Sequence, residues 1–196
     1  MNTDTIKYLS TKETERLLSR ISSKRDKAMF ALMYFYGMRC VEAAKLNLDD
    51  LRLADSRLYI HAAKNGISGE VILTREVRRV LEAYVKERGS DTTQARALFV
   101  SRKSKTGSGR LSTRQISRLF QKYAKHAKLP IDKQHPHVLR HSIAVHMADS
   151  GIDVGVVKDH LRHRKIENTM IYFQITSKKR HEFQARALAG EFVARI

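Results

Sequence analysis

A chain of 196 residues, 42% hydrophobic and 30% charged, is long enough to bury a core and too apolar to stay disordered. No run approaches the roughly 18 apolar residues that span a membrane, Met1-Asn2-Thr3-Asp4 lacks the basic-then-apolar order of a secretory signal, and one cysteine, Cys40, excludes an internal disulfide framework. Lys and Arg outnumber Asp and Glu 38 to 20, a net charge of +18, which fits a cytoplasmic protein with a polyanionic partner, nucleic acid first, because neutralised phosphates release counterions.

Ser10-Thr11-Lys12-Glu13 has the capping-box pattern and predicts a helix to about Ile21. An apolar helix over 23–36 follows and is expected at the core, with Gly37 ending it and a short helix from Cys40 to Lys45 beyond. Asn47-Leu48-Asp49-Asp50 is turn chemistry. Arg57 to Ala63 alternates as a strand does, and Glu70 to Thr74 pairs with it across Gly66 and Gly69. Thr74 then caps a helix to about Arg88, and 101–110, rich in Lys, Ser and Gly, reads as a mobile loop. Further helices are predicted at 112–127, 137–149 and 153–161, with Gly151 as a C-cap, and a last one at 178–194. With no repeat and no dividing linker, the pattern predicts one α+β domain over 1–196, mainly α, with a small antiparallel sheet.

The positive charge is concentrated late. Residues 1–100 carry 18 basic and 13 acidic groups, and residues 101–196 carry 20 and 7. Eight of the nine histidines lie between His126 and His181, several beside arginines, as in Leu139-Arg140-His141 and Leu161-Arg162-His163-Arg164. His137 and Arg140 share a helix face and together offer one phosphate a proton-transfer group and a bidentate donor. Such a pair alone is weak evidence, because helices contain it by chance.

The wider pattern is more specific. His137-Val138-Leu139-Arg140-His141-Ser142, then Leu161-Arg162-His163, then Tyr172 nine residues after His163, resemble the carboxy-terminal signature of the tyrosine recombinases, the phage-integrase family. Tyr36-Gly37-Met38-Arg39 with Glu42 is similar to the segment of that family's first catalytic arginine, and Lys64, in Ala63-Lys64-Asn65-Gly66, falls where the family keeps a catalytic lysine. The resemblance covers nearly the whole chain. In its short length the chain also resembles bacterial invertases of fimbrial promoter elements, which lack a separate amino-terminal DNA-binding domain.

The resemblance implies an integrase-like catalytic fold that cuts and rejoins DNA through a phosphotyrosine, with no metal and no cofactor. Arg39 and Arg140 would clamp the phosphate, since guanidinium stays protonated and donates in a fork. Tyr172 would attack phosphorus, conserving the bond energy for rejoining. His137 would be the general base, Lys64 the acid for the leaving 5′ oxygen, and His163 a donor to a non-bridging oxygen. Glu42 would orient Arg39, although a plain Arg39–Glu42 salt bridge is the simpler alternative. The family commonly has glycine where Arg162 stands. A positive φ there would strain arginine; otherwise Arg162 reaches a neighbouring phosphate.

Arg102, Lys103, Lys105 and Arg110 are expected to grip phosphates from the loop, and Arg114, Arg118, Lys122 and Lys125 form a basic stripe at helical spacing for the DNA groove. Double-stranded DNA carrying a recombination site is therefore the implied partner, at the nucleoid and not at a membrane, with accessory DNA-bending proteins beside it. Phe183, Ala187, Leu188, Phe192 and Val193 form an apolar series that in the family docks on the next protomer of a tetramer; packing on its own domain is the alternative. Two rivals stand beside the enzyme. One is a regulator using 137–163 as a helix-turn-helix, which leaves Arg39, Lys64 and Tyr172 unexplained. The other is a zinc site on His137, His141, His160 and His163, which lacks an acidic or thiolate partner.

Overall fold

The computed structural model describes residues 6–63, 66–89, 96–101 and 109–186, with backbone alone for 177–180 and 182–186. Helix α1 (Thr11–Ser19) opens on the predicted capping box: Ser10 Oγ accepts the Glu13 N–H at 3.2 Å and the Glu13 carboxylate accepts the Ser10 N–H at 2.8 Å. Helix α2 (Lys24–Phe35) buries every residue from Ala28 to Met33. A helix apolar on all sides has no solvent face to keep, so it runs through the middle of the molecule. Helix α4 (Arg75–Arg88), capped by Thr74, packs along it. Helix α5 (Thr113–His126) turns Ile116, Phe120, Tyr123 and Ala124 inward, and Phe120 meets Phe30 edge to face at 5.5 Å.

Among the described residues, three strands form an antiparallel sheet in the order β1 (Leu51–Arg52), β2 (Arg57–Ile60), β3 (Gly69–Ile72). Leu58 and Ile60 face the core while Arg57 and Tyr59 face out, the period of two that the sequence shows. Three details differ from expectation. β2 ends at Ile60 rather than Ala63, β3 runs over Gly69–Ile72 rather than Glu70 to Thr74, and β1, only two residues long, carries no alternation to read.

The last third adds α6 (His137–Asp149), α7 (Val154–His160) and α8 (Glu167–Arg186), joined by Gly151 at φ +79° as the predicted left-handed cap. They enclose a second apolar cluster of Ala144, Val145, Val157, Leu161 and Tyr172. The final helix, expected at 178–194, instead starts at Glu167 and carries Tyr172 itself. Its first turns hold Thr169, Ile171, Ile175 and Thr176, residues of modest helix propensity, and packing on α6 and α7 overrides that preference. The apolar series from Phe183 to Val193 lies outside the described side chains. No helix among the described residues is long and apolar enough to cross a membrane.

Candidate active site

Gly37, at φ +56°, ends α2 and turns the chain so that Arg39 becomes the N-cap of α3 (Cys40–Lys45). A Cβ at Gly37 would stand 2.6 Å from Leu161 Cδ2, so position 37 needs glycine for both its backbone angle and the close approach of α7. Glu42, with its side chain wholly buried, accepts the Arg39 backbone N–H at 2.9 Å, the Arg39 Nη1 at 2.9 Å and the Ala63 N–H at 3.2 Å. Burial alone would raise its pKa, but those N–H groups and the Arg162 and Arg140 charges outweigh it and hold the carboxyl below the usual range. Arg39 itself stays partly open to solvent.

Arg140 on α6 is 1% exposed. Its guanidinium donates to the Gly37 carbonyl and, at 2.7 Å, to the Leu161 carbonyl. Burial, then the nearby Arg39 charge, brings its pKa down to about 10, so it remains a cation at neutral pH. The α2–α3 turn, α6 and the end of α7 thus meet on one side chain, and the two predicted guanidiniums share one electrostatic environment.

His163 follows α7. Its backbone forms a bridge with Gly66, and its Nδ1 lies 2.8 Å from Thr169 Oγ1. Burial and the charges of Arg140, Arg39 and Arg162 push its pKa down to about 3. The residue before it, Arg162, adopts φ +56° and is 6% exposed. Its guanidinium turns inward to the carbonyls of Tyr36 and His160, each at 3.0 Å, and to Glu42 Oε2 at 3.5 Å. The expectation that Arg162 grips DNA is thereby corrected: the positive φ is real, and the side chain is spent inside the protein.

Tyr172 on α8 is 3% exposed. Its hydroxyl lies 3.0 Å from Nδ1 of His141 rather than against His137. Burial raises the phenol's pKa while Arg140 and Arg39 oppose the rise. His137 meets His141 edge to face, with ring centroids 4.4 Å apart. Burial, then the charges of Arg140 and Arg39, bring His137 down to about 4; burial, then the adjoining His137 and His135 rings and the Arg140 charge, bring His141 to about 3. Both rings are therefore neutral at pH 7. The sequence showed His141 inside the signature and as part of a candidate zinc site but gave it no part in the recombinase site, and its Nδ1 lies against the phenol. A cavity of about 540 Å³ is lined by Ile6, His141, Met170, Ile171 and Tyr172, among others.

The predicted DNA contacts divide. Arg114, Arg118, Lys122 and Lys125 are exposed on α5, away from its apolar face. Arg110 is corrected to an internal strut, donating to the carbonyls of Ala44 at 2.6 Å and Leu46 at 3.0 Å and to Asn47 Oδ1 at 2.6 Å. Lys64, Arg102, Lys103 and Lys105 lie outside the described residues. The flanks of Lys64 are nevertheless anchored, Ala63 on Glu42 and Gly66 on His163.

One phenol, two buried or half-buried guanidiniums and three neutral imidazoles make a site for nucleophilic attack on an anion, with charge stabilisation and proton transfer both at hand. The chain belongs to the phage integrase family, whose model matches residues 7–179. It is 30% identical over 176 residues to the tyrosine recombinase XerA of Pyrococcus horikoshii, covering 90% of this chain and 59% of XerA. It is 32% identical over 174 residues to the type 1 fimbriae regulatory protein FimE of Escherichia coli, covering 85% of this chain and 84% of FimE. The crystal structure of XerA recombinase superposes with a TM-score of 0.78 at 28% identity, over 92% of this chain and 62% of that one. The chain thus spans less than two thirds of XerA.

Proposed function

We propose that this chain is a site-specific DNA recombinase that cuts and rejoins strands through a 3′-phosphotyrosine at Tyr172. The observation that supports the reading is that buried Arg140 on α6 donates to the Gly37 carbonyl, two residues before Arg39 although more than a hundred residues away in sequence, with the charges of both arginines acting on Tyr172. The guanidiniums hold the non-bridging oxygens as charge builds in the transition state. His163 adds a donor, and neutral His137 takes and returns a proton. Lys64, on the turn tethered by Ala63 and Gly66, protonates the leaving 5′ oxygen. Glu42 orients Arg39. The exposed stripe of α5 lies along the duplex as a phosphate track.

Double-stranded DNA bearing a recombination site is the partner, bound by copies of this chain that assemble as a tetramer, with DNA-bending proteins assisting. Inversion, integration and excision all follow from this chemistry, and the arrangement of the two target sites selects among them. The regulator reading is not favoured, since α6 and α7 direct Arg140, Val145, Val157 and Leu161 into the fold, where none can read a groove.

Incubating the protein with fragmented host DNA, denaturing, and sequencing what stays covalently attached tests this directly. The expected adduct forms in EDTA and disappears in Tyr172→Phe. No adduct, or one that persists in Tyr172→Phe, removes the reading.

A further inference from the structure

We propose that Arg162 is a positioning residue for strand cleavage: its guanidinium steadies the Glu42 carboxylate that aims Arg39, while its backbone seats His163 against the β2–β3 turn. The inference rests on the recombinase reading above.

Arg162 sits at φ +56°, where a side chain meets steric resistance that glycine would not. The side chain compensates through three internal acceptors, the carbonyls of Tyr36 and His160 and the Glu42 carboxylate. Glu42 is the hub. Its Oε1 accepts from Arg39 Nη1 and Ala63 N–H, and its Oε2 accepts from the Arg39 N–H and Arg162 Nη2. A buried carboxylate demands compensation by positive charge. With Arg162 supplying part of it from within, the partly exposed Arg39 is not drawn wholly onto Glu42 and keeps donors for a phosphate. Without Arg162, Arg39 is the cation bonded to that carboxylate and settles deeper against it.

The main chain of Arg162 does a second job. Its carbonyl accepts the Ile67 N–H at 3.2 Å, next to the Gly66–His163 bridge. One residue therefore joins the segments carrying Arg39, the Lys64 turn and His163. A purely stabilising arginine would satisfy its donors, yet among the described residues Nε of Arg162 is buried with no partner and the bond to Glu42, at 3.5 Å, is long. That pattern fits placement of a carboxylate better than maximal stability.

The test compares Arg162→Gly, which removes both guanidinium and strain, with Arg162→Ala, which removes the guanidinium and keeps the strain. Both are expected to form the Tyr172 adduct about a hundredfold more slowly, as a displaced reacting group costs, with DNA affinity unchanged and Ala melting below Gly. In a Glu42→Gln background, Arg162→Gly should add no further loss. Amide exchange at Arg39 and Ala63 should quicken about tenfold in Arg162→Gly while α4 amides hold. Wild-type cleavage by Arg162→Gly, or losses that follow melting temperature or DNA affinity, would overturn the assignment. If the wild-type chain itself gives no Tyr172-dependent adduct, the recombinase reading fails instead, and the exchange rates still decide whether Arg162 steadies Glu42.

Discussion

The two halves of the candidate site are built to different standards. The anion-binding half is over-determined: Arg140, Glu42 and Arg162 are buried and tie the α2–α3 turn, α6, the end of α7 and the sheet turn into one network. The half around Tyr172 is held chiefly by apolar packing. Among the described contacts, Tyr172 keeps one side-chain hydrogen bond, to His141, within a small apolar cluster beside an open cavity. On the proposed reading, a transition state with concentrated charge needs fixed donors, whereas a tyrosine that must reach phosphorus, bond to it and later release it gains from few polar ties.

Removing Arg140 should break the rigid half most severely. Arg140→Ala leaves the Gly37 and Leu161 carbonyls without their donor in a buried setting, a loss of about 3 kcal/mol of stability by denaturant titration. Adduct formation should fall about a thousandfold while DNA binding survives on the remaining phosphate contacts. Wild-type stability in Arg140→Ala would mean the buried network is ornamental.

Acid should loosen the same half next. His163 is buried and its pKa is pushed down to about 3, so between its ordinary value of about 6.5 and that value the unfolded chain binds a proton that the folded chain refuses. Stability is then full above about pH 6.5 and drains as pH falls, by up to about 1.4 kcal/mol per pH unit for this one group. Melting temperature followed from pH 7 to pH 4.5 should drop, and His163→Gln should flatten the slope. A profile that Gln leaves unchanged would assign the acid sensitivity elsewhere.

The contrast also explains what the sequence made legible. Arg39, Arg140, His163 and Tyr172 could be picked out together only through the family resemblance of their motifs, whereas α1, α2, α4, α5, α6 and α7 were readable because caps and apolar periodicity are local signals. The missed features are set by tertiary contact. Arg162 and Arg110 are cationic like the true surface residues of α5, and nothing local says that they point at carbonyls. β1 is too short to alternate. The early start of α8 depends on α6 and α7 being in place. His141 stood in view inside the signature, but only the fold turns its Nδ1 toward Tyr172.

The smallest effect should come from His141, and it bears most on the nucleophile's half. His141→Leu puts an apolar side chain of similar bulk against Tyr172 and leaves its buried hydroxyl without that acceptor, so stability should fall by about 1 kcal/mol. Adduct formation should slow about tenfold, because the hydroxyl loses the contact that sets its position. His141→Asn, whose amide occupies the place of Nδ1, should recover much of the rate if position is what matters. Recovery by raised pH instead, with Asn as slow as Leu, would show that the imidazole takes the phenolic proton. Equal rates for all three proteins would mean that Tyr172 leaves His141 before it reacts.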